Sequence, residues 1–446
     1  MVERKSTPHR SSSELVRKAL LGIGYWMQGF RCFPWLVFNF FLKDALDVDP
    51  STLQILQNSA NLPMVAKPLY GILSDAFYIQ GQHRIPYIAL GAFLQAISWL
   101  AIALLSPTNI SIIVLYLLLS NLGAAIAEVA NDAVVAELAR QPAPSSLKKS
   151  PSSSSSGELQ SFVWMASSLG GAFGNLIAGV AIGRLSPRTM FSIFGVLTAL
   201  QFLVTISVRE SSLNLPKASS GNGIKKQLSD LSSALRRPEI AYPITWLAAS
   251  YAVIPALTGT MFFYQTQHLK IDTSVLGISK VFGQATMLLW SIVYNKYLKS
   301  IGPRKLISAI QATMVVLTAS DILFVKGGYR NMGFPDSLYV IIISGFLEVI
   351  LFFKILPFSV LISQVCPPGC EGSLMAFAMS VVALAFIVSG YLGVALASYV
   401  GIGGDDFSGL PFGLAIQAAC TVLPLTLSSW IPDVAAARQK TSRKSE

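Results

Sequence analysis

Gly71-Ile72-Leu73-Ser74-Asp75, followed after a short gap by Gly81-Gln82-His83-Arg84, is the stretch on which the fold turns. A weaker copy reads Ser291-Ile292-Val293-Tyr294-Asn295, then Gly302-Pro303-Arg304-Lys305. In both, a small residue precedes Asp or Asn by four positions, and Gly and basic residues follow. The small residue lets helices pack closely. The carboxylate stands where a helix leaves the membrane, within reach of a basic residue across the turn. The second copy keeps the layout and loses the carboxylate. A pattern that returns once, each time after a long apolar run, marks a duplicated helical bundle.

Outward from these two loops, the chain reads as runs of about 20 apolar residues, each able to cross a ~30 Å hydrocarbon core. Spans are expected at approximately 21–42, 52–77, 86–106, 110–138, 158–183 and 189–207, then at approximately 241–265, 273–298, 304–325, 336–363, 372–399 and 408–430. Residues 1–20 form an amino-terminal tail, 208–240 a basic linker between an amino-terminal bundle (21–207) and a carboxyl-terminal bundle (241–430), and 431–446 a second tail. The Ser- and Pro-rich segment 141–157 is too polar to bury a core and is expected to be a disordered loop.

Composition supports the same class. Hydrophobic residues make up 53% of the 446 residues and charged residues only 12%, and mean hydropathy is +0.58. A soluble domain carries roughly 25% charged residues. The net charge of +11 does not point to nucleic acid, because Lys and Arg fall in short segments between apolar runs. With both ends on one side, the tails and loops of that side hold about 23 of the 33 Lys and Arg, which places both termini in the cytosol by the positive-inside rule. Cys366 and Cys370 frame a Cys-Pro-Pro-Gly-Cys turn with no His nearby, so neither a metal site nor a cofactor is expected.

The first copy of the repeat resembles the G-x-x-x-D-x-x-G-x-R/K loop signature of the major facilitator superfamily. That resemblance implies an all-α membrane protein of about twelve spans in a 6 + 6 layout, with Gly71, Asp75 and Arg84 as a gating latch. Bundles of this kind expose a midplane site alternately to either side.

Ionisable residues inside spans are costly and therefore point to function. In span 1, Gln28, Arg31, Trp35 and Asn39 fall within roughly an 80° sector, a stripe suited to a cavity wall. Arg31 can clamp a carboxylate or pair with an acid on another helix, and Trp35 can stack on a flat ring. Span 2 offers Gln54, Asn58 and Asn61 on one stripe and Lys67 beyond Pro63. Span 4 carries Glu128 and Asp132 one turn apart, with Asn131 on the same face. Two such carboxylates cannot both ionise cheaply, so one is expected to carry a proton. Glu137 and Arg140 stand at the helix end, where solvation is expected. Span 10 adds Glu348 and Lys354 on different faces, and Lys280 in span 8 is a further candidate.

Gln28-Gly29-Phe30-Arg31, Phe41-Leu42-Lys43-Asp44, Lys67-Pro68-Leu69-Tyr70-Gly71 and Asn131-Asp132-Ala133-Val134-Val135-Ala136-Glu137 together resemble the plant and cyanobacterial branch of the folate–biopterin transporter family. The resemblance implies a carrier of folates, pterins or related organic anions, often with protons. Arg31, Lys67 and Lys354 would then serve as cations, Gln28, Asn58, Asn61 and Asn131 as amide partners, and Trp26 and Trp35 as aromatic platforms. Glu128, Asp132 and Glu348 would be the candidates for proton coupling. Expected partners are a small solute, protons and the bilayer, with a monomer in a plasma membrane or endomembrane, the plastid envelope included. A carrier of another anion (nucleotide, amino acid or peptide) and a transport-inactive receptor are the competing readings. No nucleophile elbow, P-loop or H-E-x-x-H points to an enzyme, and His9, His83 and His268 belong to no evident site.

Overall fold

The structure, a computed structural model, describes residues 8–105, 109–139, 155–213, 224–298, 301–365, 371–403 and 406–432. Residues 141–154 of the expected Ser-rich loop, Arg140, the Cys366–Cys370 turn and residues 1–7 and 433–446 of the two tails lie outside them; 155–157 already belong to a helix. The described residues are almost wholly helical and form no β-strand.

Among the described residues, eight helices are long and apolar enough to cross a membrane, from Ile85–Leu105 to Ser373–Tyr399. They are the expected spans 3–6 and 8–11. Span 12 is the shorter helix Leu410–Thr426. Spans 1, 2 and 7 are interrupted, and prolines account for the first two. In span 1 the helices Pro8–Phe30 and Cys32–Phe40 meet at Arg31, where Pro34 offers no N–H to the Phe30 carbonyl. In span 2, Pro50–Ala60, Leu62–Val65 and Lys67–Ala76 meet at Asn61 and Ala66, beside Pro63 and Pro68. Helix starts follow ordinary capping chemistry: Asp49 before Pro50 and Ser186 before Pro187 each accept backbone N–H groups.

Two expected segments differ. The helix of span 1 begins at Pro8, inside the segment read as a tail, and buries Leu20 and Leu21 against Ile85 and Ile88. The basic linker contains the helix Ile224–Leu235, whose Ala234 is buried in a core with Ile240, Trp246 and Leu374. Spacing of the Leu residues supplies an apolar face that the surrounding charge conceals in a linear reading.

The chain divides into two compact units, residues 1–38 with 66–224 and residues 39–65 with 225–446. In the first, glycines set the helix spacing. A Cβ on Gly91 would stand 2.4 Å from the Gly123 carbonyl oxygen, so spans 3 and 4 touch backbone to backbone. Phe33, Trp99, Phe191 and Phe194 fill the interior alongside. In the second unit, Gln54 of the polar stripe in span 2 is buried, donating to the Ala256 and Gly390 carbonyls and accepting from the Gly259 N–H. Its amide is taken up by backbone groups, the Ala256 carbonyl and Gly259 N–H at the break in span 7 and the Gly390 carbonyl of span 11.

Candidate functional site: a two-cation cluster on one carboxylate

The interruptions of spans 1 and 2 bring Arg31 and Lys67 to the same glutamate. Arg31 Nη1 donates to Glu128 Oε1 at 2.7 Å, and Lys67 Nζ donates to Glu128 Oε2 at 2.6 Å. Side-chain exposure is 17% for Arg31, 10% for Glu128 and 28% for Lys67, so the acid is the most enclosed member and Lys67 the most open. Each carboxylate oxygen takes one cation, a geometry in which buried charge is compensated. One turn along span 4, Asp132 is exposed and accepts a hydrogen bond from the Tyr25 hydroxyl.

Beside the triad is a polar void of about 20 Å³, lined by Gln28, Arg31, Gln95, Glu128, Asn131 and Gln201 among others. Gln28 Oε1 and Asn131 Oδ1, both buried there, lack a protein donor. A space of this size suits one water, far less than a solute.

The loop signature forms a second cluster. Arg84 Nη2 lies 2.6 Å from Asp75 Oδ1 and 2.5 Å from Glu137 Oε1, while Nη1 donates to Ser74 Oγ. Gly71 is less constrained than expected: a Cβ there would meet only Val129 Cγ1 at 3.4 Å. Glu137, expected to be solvated, is paired because Arg84 folds back across the end of span 4. His83, unassigned in the sequence, sits with Nδ1 2.6 Å from Glu210 Oε1 and Nε2 3.4 Å from Glu137 Oε1. Glu210 also accepts the backbone N–H groups of His83, Arg84 and Ile85, so it caps span 3 from more than a hundred residues away.

Glu137 and Glu210 together raise the His83 pKa to about 9. Burial works against the Glu210 carboxylate, but His83 and the amides hold its pKa down at about 2. Because the folded value for His83 lies above its ordinary 6.5, the stabilisation is complete below about pH 6.5 and is lost as pH rises through about 9. Thermal unfolding of the purified chain between pH 6 and pH 10 should show Tm falling over roughly that window, and His83→Gln should flatten the fall.

The family model described as BT1 family matches residues 28–446. The chain belongs to the BT1 family. It is 62% identical over 427 residues to "Probable folate-biopterin transporter 7" of Arabidopsis thaliana, covering 95% of each chain. It is 41% identical to "Probable folate-biopterin transporter 8, chloroplastic" of the same plant, covering 93% of this chain and 75% of that one. Among solved structures, the crystal structure of a D-xylose-proton symporter superposes with a TM-score of 0.67 at 16% identity, over 94% of this chain and 98% of that one. That likeness gives the fold: a major-facilitator bundle. This BT1 chain is a multi-span membrane transporter and not an enzyme.

Not every candidate reaches the triad of this BT1 chain. Trp35 stands edge-on to Phe38, and Trp26 stacks on Phe30 and lines an apolar groove with Ile23 and Phe162 instead. Asn58 and Asn61 belong to the second unit. Asn58 packs so tightly on Gly390 that a Cβ there would lie 1.9 Å from its Nδ2, and Asn61 donates to the Gln57 carbonyl. Lys354 is fully buried in the second unit, donating to Ser250 Oγ and Gln311 Oε1 and standing 3.9 Å from the Tyr251 ring centroid. Glu348 pairs with Lys280 at 2.6 Å. Sequence reading missed Asp321 in span 9, a buried acid that accepts from Tyr339. Its signal was plain, a lone Asp within an apolar run. Glu210 had no such signal, because its partners are far away in sequence. Among the described residues, no group of three or more His, Cys, Asp or Glu could hold a metal ion.

Proposed function

We propose that this chain is a secondary transporter of folates, pterins or a related organic anion, coupled to protons and working by alternating access. Two cations from different spans converging on Glu128, with an exposed acid one turn away, carry the reading. When Asp132 is ionised, Arg31 and Lys67 are balanced by two carboxylates. When it takes up a proton, one positive charge remains uncompensated in a low-dielectric setting and attracts an anion. The solute carboxylate then competes with Glu128 for Lys67, the more open cation. Proton uptake and anion binding favour each other by this electrostatic linkage. The names of the Arabidopsis relatives support folates and pterins as the solute class. The bias of positive residues supports cytosolic termini.

Uptake of labelled folic acid and labelled biopterin into vesicles bearing the full chain tests this. Saturable uptake, accelerated by an acid-outside gradient, is the expected result. Asp132→Asn should remove the acceleration and keep a residual, pH-indifferent uptake. Absence of uptake for every pteridine would sink the solute class. Acceleration that survives in Asp132→Asn would remove Asp132 from the coupling.

A further inference from the structure

The second unit holds an ion pair that the triad does not use. Lys280 Nζ lies 2.6 Å from Glu348 Oε1, with side-chain exposures of 31% and 53%. Neither residue is at the end of its span. At 1.5 Å per residue, Lys280 is about 10 Å along the helix from Thr273, and Glu348 is about 18 Å along from Asp336. Both spans qualify as membrane-crossing. Exposed charge at such depth does not face hydrocarbon.

The face of span 8 agrees. Its exposed apolar residues Ile278, Leu288, Leu289 and Ile292 fall within a sector of about 100°, and Lys280 projects about 130° from the middle of that sector. Lys280 thus points away from the lipid stripe. Its position is also fixed. A Cβ on Gly345 would stand 2.7 Å from the Ser279 carbonyl oxygen, and Ser279 Oγ donates to the Val340 carbonyl at 2.7 Å. Glu348 rides on the short helix Gly345–Ile350, between a π-helical turn (Val340–Ser344) and a 3-10 turn (Leu351–Lys354). Irregular turns of this kind recur where a helix serves a site.

The pairing also repeats one in the first unit. Lys67 of span 2 meets Glu128 of span 4, and Lys280 of span 8 meets Glu348 of span 10. In each half, a lysine on the second span meets a glutamate on the fourth. An ion pair this exposed adds little to folding, so stability does not explain it.

We propose that Lys280 is an anion-contact cation of a water-lined site within the second unit, held in place by Glu348 until a carboxylate of the solute takes Glu348's position. The inference rests on the transport reading above and adds a specificity element to it. A solute with carboxylates remote from its ring engages Lys280, and a pterin without a carboxylate does not. Glu348 is a positioning residue, since it acts through Lys280.

The test uses the full chain in vesicles, with labelled folic acid and labelled biopterin as probes. Lys280→Gln should raise the KM for folic acid about tenfold or more while the KM for biopterin stays within about twofold. Equal shifts for both solutes, or none for either, would overturn the proposal. The charge swap Lys280→Glu with Glu348→Lys restores an ion pair but puts an acid at position 280. It should leave the folic acid KM high, and rescue would show a structural pair instead. A separate arm does not depend on the cargo. In Lys280→Cys, position 280 should react with 2-aminoethyl methanethiosulfonate, read by peptide mass spectrometry, while Ile278→Cys should not. An unreactive position 280 overturns the proposal even if folate uptake is normal. A reactive one, in a chain that moves no pteridine, supports the water-lined charge site and counts against the folate reading alone.

Discussion

Replacing Glu128 with Gln is expected to abolish transport and to lower the yield of folded chain. The substitution keeps shape and removes charge, so Arg31 and Lys67 lose the carboxylate that each contacts within 2.7 Å. Removing one member of a buried pair typically costs about 3–5 kcal/mol, chiefly through the charge left uncompensated. Here two cations are stranded, in spans 1 and 2. Uptake per folded molecule should fall at least about a hundredfold, since the remaining cations repel each other and lose their placement. The neutral triple variant, Arg31→Gln with Lys67→Gln and Glu128→Gln, separates fold from function. It has no stranded charge, so folded yield should recover, yet it offers the anion no cation and should stay inactive. Normal uptake by Glu128→Gln, at normal yield, would remove the triad from the transport site. Recovery of uptake in the triple variant would show that the cluster only holds the bundle together.

The fold was legible because the bilayer imposes it. Apolar runs long enough to cross, separated by charged loops, admit little besides a helical bundle. The duplicated Gly71–Asp75 and Ser291–Asn295 loops mark a repeat, but they carry no sign that residues 39–65 group with 225–446 in one compact unit. Arg31, Lys67, Glu128 and Asp132 were legible for a related reason: charge within a span is rare enough to stand out. What the linear chain could not give was which charges meet. Helical angles place Lys67 off the stripe of Gln54 and Asn58, and the breaks at Asn61 and Ala66 intervene before it. Gln54 carries no mark in the sequence to show that backbone carbonyls take up its amide. His83 and Glu210 escaped for the opposite reason. They lie in polar segments, where a charged residue is unremarkable until the fold closes 127 residues of chain between them. The helix Ile224–Leu235 was hidden in a similar way, its apolar face interleaved with Lys225, Lys226 and Asp230.

Gly29→Leu is expected to do as much damage as loss of Glu128, without altering any charge. A Cβ at Gly29 would stand 1.8 Å from the Ser167 carbonyl oxygen and 2.8 Å from the Gly171 nitrogen. Both are backbone atoms of span 5, so no side-chain rotation relieves the overlap. The contact is reciprocal: a Cβ on Gly170 would stand 2.2 Å from the Trp26 carbonyl oxygen, and one on Gly174 would stand 2.7 Å from Cys32 Sγ. Gly170 and Gly174 form the small-xxx-small spacing by which membrane helices approach backbone to backbone. Cys32 Sγ donates to the Gly171 carbonyl at 3.2 Å across the same seam. Span 1 must therefore move away from span 5 to admit a side chain, and Arg31, two residues on, moves with it. Its 2.7 Å bond to Glu128 cannot survive a displacement of more than about 1 Å. Gly29→Leu should fail to accumulate as a folded chain, and Gly29→Ala should fold with lower Tm and much reduced uptake. Gly183→Ala is the matched control, because nothing lies within 4 Å of a Cβ there. Near-normal uptake in Gly29→Ala would mean that spans 1 and 5 part readily, and that the position of Arg31 does not depend on their seam.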